Sequence, residues 1–274
     1  MNNIMTGNST VILQYSEVGA LVPAPASMVN RASLFGDGVF ETMVYIHGKI
    51  RFGKEHQERL NLGLETLKIN HSSLNVQKLE FFINKSVTEK DVLRVRWNVY
   101  RAGLGKYLPQ NHQSLNLLLL EVPSPSTKIK KKSYISRNIT LPSSPWSHCK
   151  TLNGLTYVMA NMEREEKKMD EVILLSQEGF IAEAGIANIF WIKDGVYYTP
   201  SLSCNCIAGV SRRKIIETLK NKGLSLEEGK YKPSEIFGAD QIFTSNVSGI
   251  SHIAQLEEKH FKTTALPLLE ELFL

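Results

Sequence analysis

The chain has 274 residues, of which 42% are hydrophobic and 22% charged, enough to bury a full core as one large domain or two modest ones. That balance excludes disordered and fibrous classes, and no apolar run approaches the ~20 residues needed to span a bilayer. Met1-Asn2-Asn3 opens no basic-plus-apolar signal, so a soluble, intracellular protein without membrane partners is expected. Cys149, Cys204 and Cys206 make neither a disulfide framework nor a Cys-x-x-Cys pair, which suits the cytoplasm. The net charge of +5 gathers at Lys128, Lys130, Lys131 and Lys132, a solvated basic face. Nucleic-acid binding would need interleaved aromatics or a recognised module, and neither is present.

In chain order, the segment before Arg31 is irregular, and alternation then predicts a hairpin of residues 39–46 and 49–52 around His47-Gly48. Leu60, Leu64 and Leu67 recur at helical spacing in residues 54–69, and a second helical pattern covers residues 74–86. Strands are expected at 92–100 and 115–122. Pro123-Ser124-Pro125-Ser126 breaks regular structure ahead of the lysine run, so the domain division is placed near Pro125. The expected organisation is a smaller N-terminal domain (1–122), a linker (123–130) and a larger C-terminal domain (131–274).

In the second part, a strand at 134–140 precedes a helix over residues 153–168, whose charged residues lie mostly on its wet face. Short strands come next at 171–175, around 181, at 187–192 and at 196–199, punctuated by Glu178-Gly179 and Asp194-Gly195. Gly209 precedes a helix at 210–220. Strands at 241–244 and 253–256 and a closing helix within 263–272 complete the chain. Strands and helices mix without a βαβ rhythm, which predicts a two-domain α+β fold.

The loop Ser147-His148-Cys149-Lys150-Thr151-Leu152-Asn153 concentrates reactive groups. His148 and Cys149 are adjacent on an extended chain and point apart, so they make a poor nucleophile pair. Cys204-Asn205-Cys206 lacks zinc-knuckle spacing and a second pair, so no metal site is expected. Lys150, taken alone, reads as a surface lysine.

It does not stand alone. Lys150-Thr151-Leu152-Asn153, Asp170-Glu171-Val172-Ile173-Leu174-Leu175, Glu183, Ala187-Asn188-Ile189-Phe190-Trp191, Tyr198-Thr199-Pro200 and Gly209-Val210-Ser211-Arg212 occur in that order. Upstream stand Phe35-Gly36-Asp37-Gly38-Val39-Phe40-Glu41-Thr42 and His56-Gln57-Glu58-Arg59-Leu60; downstream stand Ile242-Phe243-Thr244-Ser245-Asn246 and Gly249-Ile250. Over nearly its whole length the chain resembles the class IV aminotransferases, the fold-type IV enzymes that use pyridoxal 5′-phosphate (PLP).

The resemblance implies that Lys150 holds PLP as a Schiff base and moves protons when freed. It implies that Glu183 faces the pyridine nitrogen and keeps it protonated, and that Arg59 binds the phosphate. Gly209, Val210 and Ser211 open a helix, whose exposed amides suit an anion. Thr244 and Ser245 match the last phosphate contacts. Each of these has a plainer reading beside it: a solvated turn for Glu183, a surface charge for Arg59, an ordinary helix start for Gly209 to Ser211.

Within the family, members share cofactor attachment and diverge afterwards: transaminases release a keto acid, whereas aminodeoxychorismate lyases expel pyruvate and yield 4-aminobenzoate. Branched-chain aminotransferases typically carry a tyrosine five residues after the lysine, where this chain has Leu155. The D-amino-acid enzymes carry an Arg-x-His clamp, where this chain reads Arg101-Ala102-Gly103-Leu104-Gly105-Lys106-Tyr107. That loop is nearer to the lyases', so a lyase is the expected activity, with a branched-chain or D-amino-acid aminotransferase as the alternative. An inactive relative acting as a binding protein is the non-enzyme alternative. Arg94 and Arg96 share one strand face while Arg101 points to the other, and the substrate carboxylate is assigned to Arg101 with Tyr107. The resemblance also implies a homodimer with small-molecule amino-acid or aminodeoxychorismate-type substrates.

Overall fold

The structure, a computed structural model, describes residues 13–15, 21–23, 25, 29–88, 91–124 and 126–274. Strands β1 (Leu13–Tyr15) and β2 (Leu21–Pro23) pair antiparallel in the stretch the sequence leaves irregular, whose other residues lie largely outside the described set. Helix α1 (Arg31–Phe35) is capped by Asn30, whose side chain accepts from Ser33 N–H, and it ends at Gly36 in the left-handed region. Strand β3 (Gly38–Ile46) turns through His47 and Gly48, both at positive φ, into β4 (Lys49–Ile50). Two positive φ values match the right-handed twist of a tight hairpin.

Helices α2 (Gly53–Thr66) and α3 (Val76–Asn84) come next, then β5 (Leu93–Arg101) and β6 (Ser114–Glu121). These strands form a sheet in the order β4-β3-β5-β6. Leu60 and Leu64 of α2 pack with Met43, Tyr45, Val95, Trp97 and Val99 in one apolar cluster. Alternation thus carries through: odd-numbered residues of β5 from Val95 to Arg101 are buried and the even-numbered ones are less so.

The rest of the chain builds two further sheets. Its elements are β7 (Ile129–Lys130), β8 (Ser133–Leu141), α4 (Leu155–Glu166), β9 (Glu171–Ser176), β10 (Ile181–Ala184), β11 (Asn188–Lys193) and β12 (Val196–Pro200). After them come α5 (Val210–Asn221), β13 (Leu226–Gly229), α6 (Pro233–Ile236), β14 (Gln241–Asn246) and β15 (Gly249–Ile253). Strands β16 (Gln255–Leu256) and β17 (Lys259–His260) and helix α7 (Pro267–Glu270) complete the chain. One sheet runs β10-β9-β8-β16-β17 and the other β13-β12-β11-β14-β15-β7.

The expected break near Pro125 falls on a residue outside the described set. Shortly after it, β7 pairs parallel with β15, so Ile129 and Lys130 are already part of a sheet. The closing helix is shorter than expected, because Pro267 can only start a helix, and a 3₁₀ turn at Glu271–Phe273 finishes it. Strand β13, unforeseen from Leu226-Glu227-Glu228-Gly229, exists through its parallel pairing with β12.

Candidate active site

Lys150 is positioned by backbone bonds to β3. Phe40 N–H donates to the Lys150 carbonyl and Leu152 N–H to the Gly38 carbonyl, both at 2.9 Å, and Val39 bridges Thr151. Gly38 permits the crowding there: a Cβ would lie 2.5 Å from the Val99 carbonyl oxygen. The lysine thereby lines a cavity of about 1000 Å³, with its Nζ 4.5 Å from the centroid of the Phe40 ring. Burial and the neighbouring Arg59 charge lower its ammonium to about 8.

Glu183, on β10, opens on the same cavity and is only 4% exposed. The Tyr157 hydroxyl donates to its Oε1 at 2.5 Å and Ile207 N–H to its Oε2 at 3.2 Å. Burial pushes its carboxyl up to about 7 against these donors and Lys150. Burial thus draws the pKa values of a lysine and a glutamic acid toward each other within one cleft, a kind of perturbation that accompanies functional sites.

At another part of the cavity, Gly209 precedes α5, which opens with Val210 and Ser211 and has no side-chain cap, leaving first-turn amides for an anion. Gly209 is obligatory: a Cβ would lie 2.1 Å from Asn188 Oδ1. Asn188 Nδ2 in turn donates to Ser211 Oγ at 3.0 Å and to the Ser245 carbonyl at 2.8 Å. Arg59 reaches this end, where its Nη1 donates to the Ala208 carbonyl at 3.4 Å. The other arms of its guanidinium are held by Glu41, Nε to Oε1 at 2.8 Å and Nη2 to Oε2 at 2.5 Å. Burial opposes ionisation of Glu41, but Arg59 and His56 outweigh it and hold the carboxyl down at about 2. His56 Nδ1 lies 2.6 Å from Glu41 Oε2, and an ionised Glu41 makes that nitrogen the donor.

Several of the expected site residues lie away from the cavity of their own chain. Arg101 is 6% exposed and does not line the cavity; its guanidinium donates to both Asp37 oxygens and to the Leu67 and Lys68 carbonyls. It is a buried staple without a free fork for substrate. Tyr107 is 89% exposed and rests on Phe35, off the cavity of its own chain. Thr244 turns toward β15, its Oγ1 donating to the Ser251 carbonyl at 3.4 Å. Ser245 is sealed behind Asn188 and Ser211, while the next residues, Asn246 to Ser248, line the cavity instead.

The cavity is lined instead by Arg94 and Arg96 of β5. Arg96 Cζ stands 4.0 Å from the Phe40 ring centroid, the ring that Lys150 also covers, and its Nε donates to Asn98 Oδ1. Arg94 is paired with Glu121. The strand parity visible in the sequence separated this pair from Arg101, and the fold decides which side meets the cavity. Tyr157 and Asn188 were not singled out as site residues, since nothing local ties a helical tyrosine to a glutamate 26 residues later.

The family model for class IV amino-transferases matches residues 38–256. The chain belongs to the class IV aminotransferase family. It is 31% identical to the aminodeoxychorismate lyase of Bacillus subtilis (strain 168) over 90% of this chain and 88% of that protein. It is also 31% identical to the probable branched-chain-amino-acid aminotransferase of Rickettsia bellii, over 85% of this chain and 83% of the other. Among solved structures, the 4-amino-4-deoxychorismate lyase of Pseudomonas aeruginosa superposes with a TM-score of 0.75 at 25% identity, covering 92% of this chain and 94% of that one. The fold is the fold-type IV architecture that the motifs imply, and the chain is an enzyme of the lyase or transaminase kind.

Proposed function

We propose that the protein is a PLP-dependent 4-amino-4-deoxychorismate lyase, eliminating pyruvate to leave 4-aminobenzoate. The observation carrying this reading is the convergence in one cavity of Lys150, Glu183 and an uncapped helix start beside Arg59. These residues fit the cofactor: an amine to bond its aldehyde, a carboxylate for its ring nitrogen, and amides with a cation for its phosphate. When bound, PLP supplies an electron sink beside the substrate nitrogen.

The chain's own groups then have distinct tasks. With a pKa of about 8, Lys150 is in part neutral near pH 7, so Nζ can bond a carbonyl and, when free, carry a proton. Glu183 holds the ring-nitrogen proton. Gly209, Val210 and Ser211 bind phosphate through backbone and hydroxyl, and Arg59, braced by Glu41, adds positive charge at that end. Arg96, in place of Arg101, binds a substrate carboxylate, while Arg94 beside it is already paired with Glu121. The lyase relatives favour elimination over amino transfer.

We further propose a division into an N-terminal domain of residues 1–122 and a C-terminal domain of residues 131–274 to which β7 adds Ile129 and Lys130, and a second copy of the chain as partner. Leu155, Val158, Met159 and Met162 are exposed at helical spacing along one face of α4, and Tyr107 and Leu108 project nearby in the sequence of the glycine loop. A cytoplasmic setting suits three free cysteines. No helix among the described residues is long and apolar enough to cross a membrane.

The test is the visible spectrum of the purified protein with added PLP, wild type beside Lys150→Ala, before and after borohydride, with product analysis afterwards. A yellow band fixed covalently by reduction only in wild type, with pyruvate released from aminodeoxychorismate, is expected. Keto-acid formation without pyruvate would favour the transaminase alternative. A colourless wild type would point to an inactive binding protein.

A further inference from the structure

The proposed function makes no use of Tyr157, yet this residue lines the cavity and its hydroxyl reaches Glu183 Oε1 at 2.5 Å. The other oxygen, Oε2, takes Ile207 N–H at 3.2 Å. One donor is backbone and belongs to every sequence at that position; the other depends on a single phenol. Tyr157 lies two residues after Leu155, which is 66% exposed, so the two side chains leave the first turn of α4 on different sides.

A carboxylate withdrawn from water reverts to its neutral form unless donors replace the lost hydration. Three titratable groups face Glu183: Tyr157 from α4, Lys150 from the segment held on β3, and Cys206 from the loop before α5. Burial and the nearby Glu183 push the Cys206 thiol up to about 12, so it brings no charge. Burial and Glu183 likewise push the Tyr157 phenol far above its ordinary value, so it remains a donor at any working pH.

We propose that Tyr157 is a positioning residue of the reaction: by donating to Glu183 Oε1 it favours the ionised form of that carboxylate and aims it, ready to hold a proton on the ring nitrogen of a bound pyridine cofactor. The inference rests on the reading of Glu183 given above. In this role Tyr157 acts through Glu183.

The experiment is an infrared difference titration of the ligand-free protein from about pH 5 to about pH 9, tracking a protonated-carboxyl C=O stretch. The band is assigned to Glu183 by its absence from Glu183→Gln. In wild type its midpoint is expected near 7. In Tyr157→Phe the midpoint rises by about one pH unit or more, a tenfold change in proton affinity or about 1.4 kcal/mol. Tyr157→3-fluorotyrosine keeps the shape and strengthens the donor, so the midpoint falls, and it serves alone if the phenylalanine variant does not fold. A midpoint unmoved by either change overturns the proposal, whatever the thermal stability does. PLP binding by wild type is scored separately from its visible band. Absence of that band overturns the cofactor reading and this role with it, whereas a band with an unmoved midpoint overturns Tyr157 alone.

Discussion

Replacing Arg101 by methionine removes every hydrogen bond that its guanidinium donates, the contact with His112 included, while keeping the length of the aliphatic stem. In the native structure Nε and Nη2 hold the Asp37 oxygens at 2.9 and 3.3 Å, and Nη1 and Nη2 reach the Lys68 and Leu67 carbonyls at 2.9 and 2.6 Å. Breaking a buried pair from one side costs about 3–5 kcal/mol. Asp37 retains Arg31, whose Nε stands 2.6 Å from Oδ2, so the lower end of that range applies. A loss of about 3 kcal/mol lowers Tm by about 6–12 °C in a chain of this size.

The pH dependence has a defined sign. Burial raises the Asp37 carboxyl, but Arg101 and Arg31 outweigh it and hold the carboxyl below its ordinary value. A depressed folded pKa means that its contribution is present above the unfolded value and disappears as pH falls through the folded one. In Arg101→Met that acid loss starts at higher pH. Urea unfolding at neutral pH and between about pH 3 and about pH 5 measures both effects. Unaltered stability combined with a raised KM would refute the structural assignment of Arg101 and restore it as a substrate ligand.

Arg96→Met should behave in the opposite way, raising KM by about 10- to 100-fold through loss of a charged hydrogen bond worth ~1.5–3 kcal/mol, while Tm stays close to wild type. Gly209→Ala forces a Cβ onto Asn188, which sits 2.1 Å away, so stability falls by about 1–3 kcal/mol and PLP affinity drops with it; an unperturbed variant in calorimetry and PLP titration would contradict the packing described. Because burial and Arg59 lower Lys150 to about 8, capture of PLP by ligand-free protein should accelerate as pH rises and reach half its limit near that value. A stopped-flow profile still climbing to about pH 10 would indicate an ordinary exposed lysine.

The local elements were legible because short-range physics builds them. The hairpin at His47-Gly48 arises from its turn residues, and α2 from leucines repeating on one face. Its end was overshot: residues to 69 fit the pattern, but the helix closes at Thr66 and Lys68 takes a positive φ, sending Ile69 into the core. Strand β13 has no alternation of its own and owes its existence to β12.

By itself, the sequence determined the family and picked out Lys150 and Glu183, which the fold brings to one cavity, and the glycine before α5, since these are identities at fixed places in an ordered set of motifs. The tertiary structure decided which charges are free. Strand parity puts Arg96 and Arg101 on opposite faces, but only the packing of β5 shows Arg96 at the cavity and Arg101 locked to Asp37. Likewise the bracing of Arg59 by Glu41, and of Glu183 by Tyr157, joins residues 18 and 26 positions apart. A hydrogen bond depends on where two side chains meet in space, and that is set by the fold around them.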